Sequence, residues 1–168
     1  MEISIPNMMK AIRQDEAGGK LIVTELPVPI PDKGEVLIRM SYTPINPSDL
    51  GMLRGSSANQ VAYPYIPGIE GSGTVVRSGG GVLANIRVGK RVTCSASANK
   101  GGTWAEYMVT SAKRVIPINK RIGMQQGSML IVNPMTALAF IDIAKNGKHK
   151  SIVNNAAASV LGQMLQKL

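Results

Sequence analysis

The sequence has little cysteine, few aromatic residues and no long apolar run, and each shortage excludes a class of protein. Its single cysteine, Cys94, excludes an intramolecular disulfide framework and fits a reducing compartment. No apolar run is long enough to span a bilayer, and the first nine residues contain Glu2 and Pro6 in place of an apolar signal-peptide core. We therefore expect a cytoplasmic protein with no membrane partner.

Acidic residues are also in short supply, since 19 Lys and Arg residues against 10 Asp and Glu residues give a net charge of +9. Such an excess is typical of proteins that bind nucleic acid. Here, however, the basic residues are spread along the chain, and Trp104 is the one strong candidate for stacking on a base. We therefore expect no nucleic-acid partner.

What the chain does contain is a series of short β-type segments over residues 8–117. The clearest runs from Val36 to Thr43, where apolar residues alternate with mostly polar ones and predict a strand with one face on a core. In Pro67–Val76, three glycines predict a loop that leads into a strand at Thr74. That strand is predicted to end at Ser78, and residues 88–92 are predicted to be a turn into a strand that runs through Cys94. Further strands are predicted over residues 9–14, 21–26, 103–109 and 115–118. Many short strands between Gly and Pro turns favour a β-barrel or a β-sandwich.

The pattern becomes helical near residue 123. One helix is predicted over Met124–Ile131, and a second, largely buried helix has Asn133 as its N-cap and Pro134 at its first position. The second helix is predicted to end at a left-handed pair, Asn146–Gly147.

The last segment predicts a short buried strand over Ser151–Val153, a turn of small residues over 155–159 and a helix over Val160–Leu168. This order is typical of the opening of a nucleotide-binding βαβ unit. Because one parallel strand cannot complete a sheet, we expect either a truncated chain or a last segment that packs in another way.

Six short motifs occur along the chain in a fixed order. They are Asn46-Pro47-Ser48-Asp49, Pro67-Gly68-Ile69-Glu70-Gly71, Val88-Gly89-Lys90-Arg91-Val92, Gly102-Thr103-Trp104-Ala105-Glu106-Tyr107, Asn133-Pro134-Met135-Thr136-Ala137 and Asn155-Ala156-Ala157-Ala158-Ser159. On these motifs the chain resembles the medium-chain dehydrogenase/reductase superfamily, within it the zinc-free branch of quinone oxidoreductases and 2-enoyl thioester reductases. The resemblance implies a mainly β, GroES-like barrel over residues 9–122, after a loose tail over residues 1–8. Residues 123–168 would be a helical connection and the first strand and helix of an incomplete Rossmann domain.

The resemblance also implies that the chain binds no metal. Zinc-using relatives carry Cys where Asn46 stands and His where Ile69 stands, and their structural zinc needs four clustered cysteines. The one histidine, His149, lies in a polar bridge and is expected at the surface.

The cofactor implied by the resemblance is NADP(H), with NAD(H) as the alternative. By that resemblance the pyrophosphate would be lined by Ser159, Val160, Leu161 and Gly162, and the nicotinamide end by Asn46, Asn133 and Thr136. Val160 replaces a glycine of the usual turn, so the alternative is a helix start that only packs.

The implied reaction is hydride transfer to a quinone, an enone or an enoyl substrate, all of them small molecules. Enoyl reductases carry a proton-donating tyrosine where Ser57 stands, so no catalytic residue is assigned. Tyr63, Tyr65 and Asp49 are the remaining candidates, although packing explains the tyrosines and turn bonding explains Asp49. A quinone-type reductase that takes its proton from water fits this sequence better.

A second hypothesis is a truncated, catalytically incomplete chain that acts only as a folded barrel or an assembly module. A full-length chain is expected to form a homodimer.

Overall fold

A computed structural model describes residues 4–55, 61–97 and 100–168 of the chain. The chain divides into two compact units, Met1–Met129 (unit 1) and Leu130–Leu168 (unit 2). The strands are β1 (Met8–Gln14), β2 (Leu21–Pro27), β3 (Glu35–Tyr42), β4 (Glu70–Ser78), β5 (Arg91–Ser95), β6 (Tyr107–Ser111) and β7 (Val115–Pro117). The helices are α1 (Pro47–Leu53), α2 (Val82–Arg87), α3 (Met124–Gly127), α4 (Val132–Asn146) and α5 (Val160–Leu165). In the described ranges, no helix is long and apolar enough to cross a membrane.

Unit 1 is built on an antiparallel sheet with the strand order β6-β3-β4-β5-β7. Strands β1 and β2 form a separate antiparallel hairpin, in which Ala11 pairs with Thr24. Single bridges from Ala11 to Ala105 and from Gln14 to Tyr65 join this hairpin to other segments of unit 1. The expectation of a mainly β unit is therefore confirmed.

Strand β3 is buried on both faces over its first half, so the prediction of a single core face was wrong there. Val36, Leu37 and Ile38 are all fully buried. Val36 and Ile38 join the larger apolar cluster between β4, β5, β6 and β7. Leu37 packs instead with Met9 of β1, because the hairpin covers the opposite face of the sheet. Only the far end emerges, where Tyr42 is 49% exposed.

Strand β4 begins at Glu70, whereas the sequence predicted a loop up to Thr74. Gly71 and Gly73 therefore lie inside the strand. They are needed because β3 approaches closely: a Cβ on Gly73 would contact the backbone oxygen of Arg39. The glycine density of this segment reflects strand-to-strand packing.

Two short helices of unit 1, α1 and α2, were not predicted, because six or seven residues show too little periodicity. Strand β6 also starts later than predicted. Thr103 and Trp104 precede it, and their backbone N–H groups bond to Gly68 O and Pro67 O at 3.0 Å each. They are therefore held by the loop before β4.

In unit 2, α4 begins two residues earlier than predicted, with Ile131 as its N-cap in place of Asn133. Asn133 and Pro134 lie inside the first turn, where proline is tolerated because its missing N–H would be unpaired anyway. The predicted left-handed pair Asn146–Gly147 is not found: Gly147 has a right-handed φ of −76°. The residue with left-handed backbone after the helix is Lys148, with φ of 53°.

Two further predictions for this region were wrong. The apolar side chains of α4 are largely exposed, for example Met135 at 59% and Ile143 at 60%, because α5 is the one other helix of unit 2 in the described chain. Residues 151–154 form no strand, and Val153 is 95% exposed. A strand needs a partner to accept its hydrogen bonds, and unit 2 supplies none in its described residues.

Helix ends also differ from prediction. Helix α3 stops at Gly127 and not at Ile131, and α5 stops at Leu165 and not at Leu168.

Candidate active site

The loop after β3 and the start of α1 form the polar part of the site in unit 1. Asp49 Oδ2 accepts a hydrogen bond from the backbone N of Asn46 at 2.7 Å, and its Oδ1 accepts from the backbone N of Ile69 at 3.1 Å. Asp49 is 1% exposed. Its carboxylate thus fastens the start of α1 to the segment before β4, which confirms the expectation that Asp49 makes turn and capping bonds.

A second buried carboxylate, that of Glu70, lies beside this turn and was missed from the sequence. Its Oε1 accepts from Asn46 Nδ2 at 3.1 Å. Burial raises the pKa of Asp49, and the nearby charge of Glu70 raises it further, whereas the two backbone hydrogen bonds lower it. The one sequence signal for Glu70 was a charged residue in a glycine-rich stretch, Gly68 to Gly73. Such a stretch is typical of an exposed loop, so nothing in the sequence suggested a buried carboxylate there.

The two tyrosine candidates, Tyr63 and Tyr65, form a T-shaped, edge-to-face pair, with ring centroids 6.5 Å apart and planes at 80°. Tyr65 points its hydroxyl to Met52 Sδ at 3.9 Å, and burial raises its pKa to about 12, with smaller contributions from Asp49 and Tyr63. The hydroxyl of Tyr63 is buried without a hydrogen-bond partner among the described residues. Neither tyrosine hydroxyl is therefore in a position to donate a proton to a bound substrate. Ser57 lies outside the described residues.

Two threonine hydroxyls lie next to this polar turn. Thr43 Oγ1 and Thr103 Oγ1 are 2.6 Å apart, and both approach the backbone oxygen of Glu70, at 3.0 and 2.9 Å. Thr103 is buried and Thr43 is half-buried.

A cleft of about 660 Å³ opens beside Thr43 and Thr103. Its walls come from the β1–β2 hairpin, the end of β3, the loop into α1, and the residues before β6. The apolar and aromatic residues that line it are Ala11, Ile12, Leu21, Val23, Met40, Tyr42, Ile45, Leu50, Leu53, Trp104 and Ala105. Sequence reasoning did not find this cleft, because it is assembled from four separate segments.

The zinc positions carry residues with other roles. The amide of Asn46 is engaged by Glu70, and Ile69 contributes its backbone N–H to Asp49. Cys94 lies in the core, where burial raises its thiol pKa to about 12. His149 is exposed, as predicted. No group of three potential ligand residues is found in the described part of the chain.

Unit 2 holds the remaining predicted cofactor residues. Ser159 is the N-cap of α5, and its Oγ accepts from the backbone N of Gly162 at 3.0 Å. Gly162 is buried, and a Cβ there would contact the backbone oxygen of Ala156, so this glycine allows α5 to pack on the preceding turn. Val160 is 55% exposed, and Leu161 is half-buried.

On α4, Asn133 lies in the first turn, and Thr136 Oγ1 donates to the backbone oxygen of Val132 at 2.7 Å. The structure thus groups Asn46, Asp49 and Tyr65 in unit 1, and Ser159 to Gly162 on one helix start in unit 2.

Comparison with known proteins gives a consistent result. Residues 32–120 match the alcohol dehydrogenase GroES-like domain. A chloroplastic quinone-oxidoreductase from Triphysaria versicolor is 32% identical over 174 residues, which cover 96% of this chain and 52% of that protein. A mitochondrial enoyl-acyl-carrier-protein reductase from Mus musculus is 32% identical over 166 residues, covering 96% of this chain and 43% of that protein.

Among solved structures, a candidate NADPH:quinone reductase from Mesorhizobium loti superposes with a TM-score of 0.86 at 32% identity, covering 97% of this chain and 52% of that one. A second, from Bacillus thuringiensis, superposes with a TM-score of 0.77 at 31% identity. The chain spans about half the length of the curated relatives it matches.

Proposed function

Because the chain belongs to the alcohol dehydrogenase GroES-like domain family of the medium-chain dehydrogenase/reductase superfamily, we propose that it serves NAD(P)H-dependent hydride transfer to a quinone, an enone or an enoyl substrate. The observation that carries this proposal is the superposition of 97% of the chain on the Mesorhizobium loti protein. That protein is described as a candidate NADPH:quinone reductase, so we propose NADP(H) as the cofactor and quinones as the first substrates to test.

The bound nicotinamide would supply the hydride. We propose that Ser159 to Gly162 of α5 line the pyrophosphate, where the small residues Ala156 to Ala158 leave room beside the helix start. Asn46, Asn133 and Thr136 are proposed for the nicotinamide end. In this proposal residues 123–168 open a Rossmann domain, and residues 9–122 are the GroES-like unit.

The proton would come from water. Both oxygens of Asp49 already accept backbone hydrogen bonds, and a Tyr65 pKa of about 12 makes that phenol a weak acid. In this proposal the role of unit 1 is to hold the loop into α1 in a fixed position, because Asp49 and Glu70 hydrogen-bond to it.

We further propose that the reaction needs no zinc. The supporting chemistry is the donor set: an amide at Asn46 and an aliphatic side chain at Ile69 are poor ligands for zinc. A small-molecule substrate, a homodimer in any longer chain, and a cytoplasmic location without nucleic-acid or membrane partners remain predictions.

The test is a fluorescence titration of the chain with NADPH and, in parallel, with NADH. Val160→Glu should weaken NADPH binding at least tenfold, because a carboxylate would stand beside the pyrophosphate. Val153→Glu is the matched control, since it places the same charge on a fully exposed valine of the same unit. Equal affinities of the two variants would contradict the assignment of α5.

A second candidate function, a catalytically incomplete assembly module, is favoured by the absence of the strand that the sequence predicted over residues 151–153. If a folded chain bound neither nucleotide at millimolar concentration, this alternative would replace the enzyme proposal for these 168 residues.

A further inference from the structure

Strand β2 has an outer edge that pairs with no other segment in the described part of the chain. Its sheet holds only β1 and β2, which pair along their whole length without a bulge. The backbone hydrogen bonds that join these two strands to the rest of unit 1 all arise from β1, for example from Ile12 N to Trp104 O at 2.9 Å. β2 is therefore an edge strand.

The register of the hairpin shows which backbone groups this edge offers. Successive residues of a strand direct their N–H and C=O groups to opposite edges. Ile12 and Gln14 bond away from β2, so their cross-strand partners Val23 and Leu21 direct their own backbone groups outward. Glu25 lies two residues further along β2 and has the same orientation. Outward N–H and C=O groups at alternate residues are the pattern that a further β-strand binds.

The side chains along this edge are apolar and exposed. Leu21, Ile22 and Val23 are 45%, 39% and 73% exposed. Natural edge strands are commonly protected from other strands by a bulge, a proline or a charged side chain. From Leu21 to Thr24, β2 carries none of these protections. This part of the edge is therefore open to pairing with a strand of another polypeptide.

The charges at the two ends of β2 favour a second copy of the same strand as the partner. Lys20 precedes β2 and Glu25 lies near its end, and both are exposed. Neither forms an ion pair with another residue that the structure describes. In an antiparallel pair of two copies, the positive end of each strand lies beside the negative end of the other, whereas parallel pairing would oppose like charges. The antiparallel arrangement also gives both copies the same contacts, as in a two-fold dimer.

We propose that two copies of this chain pair through β2, antiparallel, with Val23 of one copy directly opposite Val23 of the other. In this register Leu21 of each copy lies opposite Glu25 of the second copy. Leu21 and Val23 of both copies then form one apolar stripe, continuous with the cleft that these residues line. The pairing involves unit 1 alone and no nucleotide, so a failed NADPH titration has no bearing on it.

The first test is a disulfide cross-link between two copies of the Val23→Cys variant. Opposed residues of a hydrogen-bonded antiparallel pair have Cα atoms about 5.5 Å apart, and disulfides span about that distance. Cys94 is fully buried and should not react. Val82→Cys is the matched control, because Val82 is 83% exposed but lies on α2. Under mild oxidation we expect at least about tenfold more cross-linked dimer from the Val23→Cys variant.

Light scattering over a concentration series measures the pairing without a cross-link. At about 0.15 M salt the screening length is about 8 Å, which reduces the repulsion between two chains of net charge +9. We expect a dimer with a Kd of about 100 μM or below for the wild-type chain. Val23→Lys should weaken this dimer at least about tenfold, because two lysines would lie opposite each other. Val82→Lys, which adds the same charge on α2, should leave it unchanged.

Substitutions of Leu21 test the register. Leu21→Lys places a positive charge opposite Glu25 of the second copy at both ends of the interface, so it should strengthen the dimer about fivefold. Leu21→Glu opposes two negative charges there and should weaken the dimer by a similar factor. Circular dichroism confirms that each variant is folded.

Three results would overturn the proposal. They are a wild-type chain that stays monomeric at about 1 mM, equal cross-linking of the two cysteine variants, and equal effects of the two lysine substitutions at Val23 and Val82. A monomeric chain would leave the edge of β2 to a different polypeptide. A dimer that responded equally to Leu21→Lys and Leu21→Glu would show that the strands do not pair in the proposed register.

Discussion

Gly68 stands two residues before the start of β4 with φ of 101°, a conformation that only glycine adopts readily. A Cβ at this position would also contact Thr103 Oγ1 and Trp104 Cδ1. Gly68→Ala should therefore destabilise unit 1 through two additive effects. Backbone strain should cost about 1–2 kcal/mol, and overpacking against Thr103 and Trp104 should cost about 1–3 kcal/mol. The free energy of unfolding in urea measures the sum.

Gly80→Ala separates the two effects. Gly80 has a φ of 106°, and a Cβ there would meet nothing within 4 Å. Its substitution should cost only the strain, about 1–2 kcal/mol. If both variants lost the same stability, the close approach to Thr103 and Trp104 would contribute nothing.

At this same scale, the sequence predicted some site residues and not others. The bonding of Asp49 was predictable, because an acidic residue three positions after Asn46 is a local turn pattern. Glu70 was not, because its partner Asn46 is distant in the chain. The pairing of Thr43 with Thr103, 60 positions apart, has no local signal at all.

Among the elements, α1 is attached to β4 largely through one side chain. Asp49→Asn leaves a single carbonyl oxygen for the two backbone N–H groups, of Asn46 and Ile69, that the carboxylate now serves. One buried donor loses its acceptor, so we expect a loss of about 1–3 kcal/mol in unfolding free energy. Asp15→Asn, at an exposed ion pair with Arg13, should change stability by less than about 0.5 kcal/mol.

The penalty of Asp49→Asn should also depend on pH. The pKa of Asp49 is raised in the folded state, so the folded chain binds this proton more tightly than the unfolded chain does. Wild-type stability therefore falls as pH rises from 3.8, the ordinary pKa of an aspartate, through the folded pKa, whereas an asparagine at this position does not titrate. The penalty should be larger near pH 4 than at pH 7, and a penalty that grew with pH would refute this assignment.

Short strands bounded by turns were predicted best. β1, β2 and β7 were located to within one residue at each end, because apolar runs and Gly or Pro turns are local signals. Helices α1 and α2 were missed because each spans fewer than two full turns. The strand predicted at residues 151–153 failed because strand formation depends on a neighbour that the local pattern does not reveal.

For the whole molecule, the cleft of unit 1 shows what sequence reasoning misses. It needs β1, β2, β3 and the loop into α1 in their final positions, and no single segment carries its pattern. The family resemblance, in contrast, was recoverable because six short motifs keep their order even when several of the predicted elements are wrong.

Unit 1 buries many more apolar side chains than the described part of unit 2, so we expect the local stability of unit 1 to be higher. Fully buried apolar residues such as Leu37, Val75 and Val92 lie in unit 1, whereas Ala137 is the one buried apolar residue found in the described part of unit 2. Local opening costs least where few apolar contacts are broken. Backbone amides of α4 and α5 should thus exchange with deuterium at least about tenfold faster than those of β3 and β4.

Hydrogen-exchange mass spectrometry on the intact chain measures this difference by peptide. Repeating it with NADPH connects the result to the proposed function, because a ligand that binds only the ordered form of unit 2 should slow exchange in α5. Protection of α4 and α5 equal to that of β3 without any ligand would show that unit 2 is held by interactions other than its own small core.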